Sequence, residues 1–297
     1  MNPHPLEKEL GLGIDDLVQA KPPRDLFAPP ALRNILVAVD GTQDAANAVA
    51  LACAVAQPGV SLSLVSVGAR DGHADLTSST LFERSVANPA AAIQAAKALA
   101  EKAGVPIGNV HAPIGTPLSE IPRVARDEAA DLVVFGSGSL GRLEFEGTGS
   151  TAKQLKAAVA ASVLIARTGL RGPILCPVDG SPTSRSAASL ALRLASAWGV
   201  PLTVLHVRDP PIRPELPKPR RRDAFVWRHP EPVAFLAQQG HSSTVILDHA
   251  QRDRAGLIVI GSRGFSNLTP WGLGSTSDAV ASQAPCNVLI VKVAPSA

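Results

Sequence analysis

Short apolar runs alternate with Ala-rich amphipathic stretches along most of this chain. Asn34 to Asp40 is a continuous apolar run that closes on an acidic residue and Gly41, which predicts a strand buried on both faces and opening into a turn. Pro173 to Asp179, followed by Gly180, repeats it. After each run comes a helical pattern, Asp44 to Gln57 and Thr183 to Trp198, with Asp44 and Thr183 as the expected N-caps. Second strands are expected at Ser61 to Val67 and Leu202 to Val207, third strands at Asn109 to Ile114 and Val233 to Gln238. Helices over Pro117 to Ala129 and Ser242 to Arg254 lead to fourth strands at Asp131 to Phe135 and Gly256 to Ile260. A Gly-rich loop, a last helix and a fifth strand (Val163 to Arg167; Asn287 to Val293) close each series.

The two series are copies of one segment. Gly115 to Arg167 lies without a gap on Gly240 to Lys292, bringing Leu132, Val133, Val134, Phe135, Gly136, Ser137 onto Leu257, Ile258, Val259, Ile260, Gly261, Ser262. Such self-similarity sets the architecture before any single element does. Strand alternating with helix implies right-handed crossovers and a parallel sheet covered on both faces. The predicted fold is therefore α/β, two tandem doubly wound domains, each a five-stranded parallel sheet flanked by helices. The domains are expected at 31–169 and 172–297, joined by the short hinge Gly169 to Gly172, which favours their packing as an intramolecular pseudo-dimer. Residues 1–30 carry Pro22, Pro23, Pro29 and Pro30 and are expected to form a Pro-rich tail or a strap over the first domain. The copies diverge once: a helix is expected from Pro89 to Ala103 in the first, whereas the second has a Pro/Arg-rich insert, 208–231, whose Pro210, Pro211, Pro214, Pro217 and Pro219 exclude a helix interior.

Composition narrows the partners. With 45% hydrophobic residues but three Trp and no Tyr, the cores must be built from Ala, Val, Leu and Ile. A formal charge of +3 is too small for this length to make an extended polyanion the default partner. Lys218, Arg220, Arg221, Arg222, Phe225, Trp227 and Arg228 do interleave charge with aromatics, as single-strand binders do. They fall in one Pro-rich insert, so a connector or a lid near the second site is preferred over nucleic-acid binding. Cys53, Cys176 and Cys286 are far apart and make no CxxC, which argues against a disulfide framework or a zinc site. The seven His form no close pair, and no metal site is expected. No run of about 18 apolar residues is present and the N-terminus lacks a signal pattern, so the expectation is a cytoplasmic protein with no membrane association.

Candidate chemistry lies where open α/β sheets bind ligands, beyond the carboxyl ends of the strands. In the second copy this means Asp179 and Gly180, Val207, and the run Gly261, Ser262, Arg263, Gly264, then nine residues, then Gly274, Ser275, Thr276. Glycines there let the backbone approach a ligand, and Gly274 opens a helix whose unpaired N–H groups attract phosphate. Gly136, Gly138 and Gly141 spell G-x-G-x-x-G, but after the fourth strand instead of the first and with no acidic residue about 20 positions on, so a dinucleotide fingerprint is rejected.

The G-x2-G-x9-G-[S/T] spacing, joined to a strand ending Val178, Asp179, Gly180, Ser181, resembles the universal stress protein family, and the resemblance covers residues 31–297 as two units. It implies a five-stranded α/β fold, dimerisation through the last strand, and ATP binding where the glycine motif is intact. Carried over residue by residue, it implies that Pro177 and Asp179 line the adenosine end and that Val207 holds the adenine through its backbone. Ile260, Gly261 and Gly264 would meet ribose and phosphates, Gly274, Ser275 and Thr276 the triphosphate, and Arg263 could neutralise a phosphate. The first copy offers Ala38, Asp40, Val67, Phe135, Gly136, Ser139, Gly149, Ser150 and Thr151, so the second glycine of the motif is Ser139 and the pocket wall is altered at Phe135. Both Asp40 and Asp179 also fit ordinary Asp-Gly turns, and Ser150 and Ser275 fit helix caps.

The function expected is that of an ATP-binding regulatory protein, with Mg²⁺ as an optional companion of the nucleotide, in which occupancy changes domain packing, a further homodimer or the hold on an unidentified protein partner. The alternatives are a slow ATP hydrolase and a scaffold that binds no nucleotide. No Gly-Lys dipeptide occurs, so the Walker A loop and its phosphate-transfer lysine are absent and any ATPase activity should be slow.

Overall fold

The computed structural model describes residues 32–68, 88–138, 158–169, 172–208, 225–226, 233–262 and 274–293, with 225–226 as backbone. The chain separates into two compact units, Ala31–Leu170 and Arg171–Ala297. The expected tail over residues 1–30 lies outside the described residues.

The first unit runs β1 (Ile35–Ala38), α1 (Gln43–Val55), β2 (Leu62–Val65), α2 (Pro89–Lys102), β3 (Ile107–His111), α3 (Pro117–Asp127), β4 (Leu132–Gly136) and β5 (Ser162–Ala166). Its strands lie in the order β3-β2-β1-β4-β5, every pairing parallel. Strand order therefore reverses between β1 and β4, and the crevice beyond their carboxyl ends is where such sheets bind ligands. Strands β1 and β4 at the centre read as unbroken apolar runs because both faces are covered: Ile35, Leu36, Val37, Leu132, Val133, Val134 and Phe135 are all 1% exposed or less. On one face α1 lays down Ala48, Val49, Leu51 and Ala52, small enough for close helix–sheet approach. The edge strand β3 begins at Ile107 instead of the expected Asn109 and ends at His111, while Ile114 contributes only an isolated bridge to Gly68.

The second unit runs β6 (Ile174–Val178), α4 (Pro182–Trp198), β7 (Leu202–Arg208), β8 (Phe225–Val226), β9 (Val233–Gln239), α5 (Ser242–Arg252), β10 (Leu257–Gly261), α6 (Ser275–Gln283) and β11 (Asn287–Val291). Its order is β11-β10-β6-β7-β9-β8, five parallel strands and then β8, which pairs antiparallel with β9. The expected five-stranded parallel sheet is thus five parallel strands extended by a sixth, and that sixth comes from the Pro/Arg-rich insert.

Both first helices start earlier than expected. Thr42 and Ser181 are the N-caps, their hydroxyls accepting from Ala45 N at 3.2 Å and Ser184 N at 3.3 Å. Asp44 and Thr183, expected as caps, instead sit within the first turn, two residues further on. Thr, Ser and Asp are all good caps, so residue type alone does not discriminate among neighbours that close.

Candidate functional site

In each unit β1 or β6 gives way to an Asp-Gly turn that the backbone dictates. Gly41 and Gly180 adopt φ of 79° and 83°, a left-handed conformation in which a side chain is strained. The preceding carboxylates organise the turn: Asp40 Oδ1 accepts from Thr42 N at 3.0 Å and Thr42 Oγ1 at 2.6 Å, and Asp179 Oδ1 accepts from Ser181 N at 3.0 Å. The turn role is therefore real in both copies. It leaves Oδ2 of Asp40 and of Asp179 without a partner among the described residues. Asp179 is exposed and Asp40 partly so, whereas the strand residues behind them, Pro177 and Ala38, are buried. Beside Asp179, β7 carries His206, whose Nδ1 donates to the Val178 carbonyl at 2.9 Å, followed by the half-buried Val207. In the first unit Val67 is buried.

The fourth strands end on glycine for a reason other than ligand approach. A Cβ on Gly261 would stand 2.7 Å from Thr183 Oγ1 and 2.8 Å from Ser184 N, and one on Gly136 would stand 2.5 Å from the backbone carbon of Asp44. Each glycine is the seat for the first turn of its unit's first helix, α4 on β10 and α1 on β4. The close approach of helix to strand brings the Asp179 turn against Gly261, which is the juxtaposition a carboxyl-end site needs.

On the far side of Gly261 the second unit has the start of α6. Gly274 N donates to Ser262 O at 2.8 Å and Ser277 Oγ to Gly261 O at 2.7 Å, so the helix start is tied to the strand end at two points. Ser262 and Ser277 are 2% and 4% exposed; Ser262 falls within the candidate run read from sequence, whereas Ser277 does not. Gly274 is the N-cap and makes no side-chain cap bond; Ser275 is exposed and is the first helical residue, not the cap. The first N–H groups of α6 are consequently uncapped by any side chain at that position, a donor set suited to phosphate oxygens. Ile260 and Gly261 are buried beneath it. Arg263 and Gly264, and in the first unit Ser139, Gly149, Ser150 and Thr151, lie outside the described residues.

The first unit closes its corresponding loop differently. Asp44, in the first turn of α1, takes the Gly138 N–H at 2.6 Å and the Ser137 hydroxyl at 3.1 Å on Oδ2. Ser137 N meanwhile donates to Ala166 O at 2.7 Å, as Ser262 N does to Val291 O at 2.9 Å, so the two loops leave their sheets alike. Thr183 stands in the second unit where Asp44 stands in the first, and its hydroxyl lies 3.3 Å from Ser181 Oγ. The difference between Asp44 and Thr183 is visible in the aligned repeats; the contact across 94 positions is not.

Among the described residues no three His, Cys, Asp or Glu side chains cluster as metal ligands, and no helix is long and apolar enough to cross a membrane.

Two doubly wound units in tandem, each with an Asp-Gly turn after its first strand and a glycine seat after its fourth, define a duplicated α/β protein. A family model described as the universal stress protein family matches residues 31–167 and again residues 171–292, and the chain belongs to that family. It is 34% identical over 133 residues to a universal stress protein of Thermus aquaticus, covering 40% of this chain and 97% of that one. A universal stress protein of Mycolicibacterium smegmatis is 31% identical over 186 residues, which covers 56% of this chain and 63% of the relative. Among solved structures, a universal stress protein from Archaeoglobus fulgidus superposes with a TM-score of 0.56 at 17% identity, covering 88% of this chain and 98% of the other. A protein of Pseudomonas aeruginosa gives a TM-score of 0.62 at 18% identity, covering 89% and 93%. These structural likenesses bear on the fold.

Proposed function

We propose that this is a regulatory member of the family whose second unit binds ATP at the carboxyl ends of β6, β7 and β10, and that occupancy changes what the protein associates with. The observation that carries the reading is the uncapped start of α6, held against Gly261 by the Gly274–Ser262 and Ser277–Gly261 hydrogen bonds. In this reading the triphosphate lies on the N–H groups of Ser275 and Thr276, where a helix start favours negative charge. Pro177, Asp179, Val207 and Ile260 border the nucleoside, with Asp179 Oδ2 toward the ribose hydroxyls. Nucleotide that binds the folded unit alone also stabilises it, by about 2.7 kcal/mol at a hundredfold excess over Kd.

The test is equilibrium binding of ATP to protein stripped of nucleotide, beside the variant Gly274→Asp. Aspartate is a favoured N-cap, so this substitution keeps or strengthens α6 while filling its donors with a carboxylate. Wild-type protein should bind ATP, and Gly274→Asp should bind it at least tenfold more weakly with an unchanged or higher melting temperature. Absence of binding at millimolar ATP, or equal affinity in the variant, overturns the reading.

A further inference from the structure

We infer that Asp44 decides the ligand specificity of the first unit: its carboxylate is a built-in anion that occupies the loop donors after β4 and excludes a phosphorylated ligand from that unit.

Two groups after β4 point hydrogen at a single oxygen. Asp44 Oδ2 holds the Gly138 N–H at 2.6 Å, as short as a hydrogen bond to an ionised acceptor becomes, and the Ser137 O–H at 3.1 Å. The same carboxylate lies in the first turn of α1, where the helix dipole favours a negative charge. One side chain thus satisfies a loop amide, a hydroxyl and a helix start together. An incoming phosphate would have to displace it and then sit beside it, and two like charges that close disfavour each other. The backbone is fitted to this arrangement: a Cβ at residue 138 would stand 2.5 Å from Asp44 Oδ2, so only glycine there lets the carboxylate reach the amide. In the second unit both members of the pair change, Asp44 to Thr183 and Gly138 to Arg263. Thr183 brings no charge, and its hydroxyl is directed to Ser181 within its own turn. The duplication has one acid–glycine pair and one threonine–arginine pair at the same two positions.

The inference rests on the nucleotide reading only for its probe, and its experiment separates the two. The full chain is compared with Gly274→Asp, Asp44→Thr and the double variant by calorimetric titration with ATP and with inorganic tripolyphosphate, while the Gly138 amide is followed by NMR. Wild-type protein should take one ATP per chain with no shift of the Gly138 amide. Gly274→Asp should take none, and Gly274→Asp/Asp44→Thr should regain one, with at least a tenfold gain in affinity for ATP or tripolyphosphate and a moving Gly138 amide. Asp44→Asn, which keeps the side-chain shape and an acceptor, should show an intermediate gain and guards against a folding defect of the threonine variant. A wild-type chain that takes two ATP with a shifting Gly138 amide overturns the inference. So does failure of both folded Asp44 variants to gain any tripolyphosphate or ATP binding. Should wild-type protein bind no ATP while the Asp44 variants do, the inference stands and the reading of the second unit falls.

Discussion

At the scale of single residues, glycines that look alike in sequence do different work. Gly41 and Gly180 are needed for a left-handed backbone, and replacing either by alanine should cost about 1 kcal/mol through local strain. Gly136 and Gly261 are needed for room. Alanine at either must push the first turn of α1 or α4 off its strand, since the added carbon would fall within 2.5 to 2.8 Å of backbone or hydroxyl atoms. Gly136→Ala and Gly261→Ala should each destabilise their own unit by about 1–3 kcal/mol, the range for overpacking a well-filled site, and urea unfolding should show it without any nucleotide present. An effect confined to ligand affinity would mean that the seat yields and the glycine serves the ligand instead. That both glycines matter was legible in the repeat, because each recurs at one strand end. Their structural purpose was not, because the clash is with a turn about 80 to 90 residues earlier in the chain, a contact no local pattern encodes.

At the scale of elements, the edge of the first sheet is secured by a carboxylate. Glu128, which caps the C-terminus of α3, accepts from Ser63 Oγ of β2 at 2.8 Å and from Asn109 Nδ2 and His111 Nε2 of β3 at 3.1 and 2.7 Å. Burial by itself would push this carboxyl up; the hydrogen bonds from Asn109, Ser63 and His111 outweigh it and hold the group below the ordinary glutamate value. A carboxyl lowered on folding contributes stability that is complete above its unfolded value of about 4.3 and is lost as pH falls through the folded one. Thermal melts of the first unit should therefore drop below about pH 4.5, and Glu128→Gln should lower the melting temperature at pH 7 while flattening that acid limb. An acid limb of the same steepness in the variant would assign the loss to other carboxylates. The second unit meets the same need by other means: its counterpart Asp253 is held low first by Arg252 and turns to its own helix, with His249 Nδ1 at 3.1 Å, while β9 has β8 along its outer edge. The long elements were readable because strands buried on both faces and Ala-rich helices leave strong periodic signatures. Strand β8 was not, for two residues within a Pro/Arg-rich insert carry no period, and Phe225 read more readily as an aromatic among charges. The helix starts were misplaced by two residues because Thr42 and Asp44, like Ser181 and Thr183, are both of capping type.

At the scale of the whole molecule, the duplication gives two units of one fold whose mouths differ in charge at one aligned position, Asp44 in the first and Thr183 in the second. The three thiols are divided between them: Cys53 is half-buried on α1, whereas Cys176 within β6 and Cys286 just before β11 are buried, and none joins a disulfide. Loss of water around it pushes the Cys176 thiol far up, and Cys53 is raised by the same cause. Reaction at Cys176 and Cys286 thus requires their unit to open, while the half-exposed Cys53 reacts without unfolding of the other. Under mild denaturant, saturating ATP should slow modification of Cys176 and Cys286 at least tenfold and leave Cys53 unchanged, a pattern that mass spectrometry of the modified chain would reveal; equal slowing at all three would mean that ligand energy spreads through both halves. The chain therefore carries, in its own sulfur atoms, a clock for the opening of its second half and a built-in reference in its first, readable without adding a label or cutting the gene.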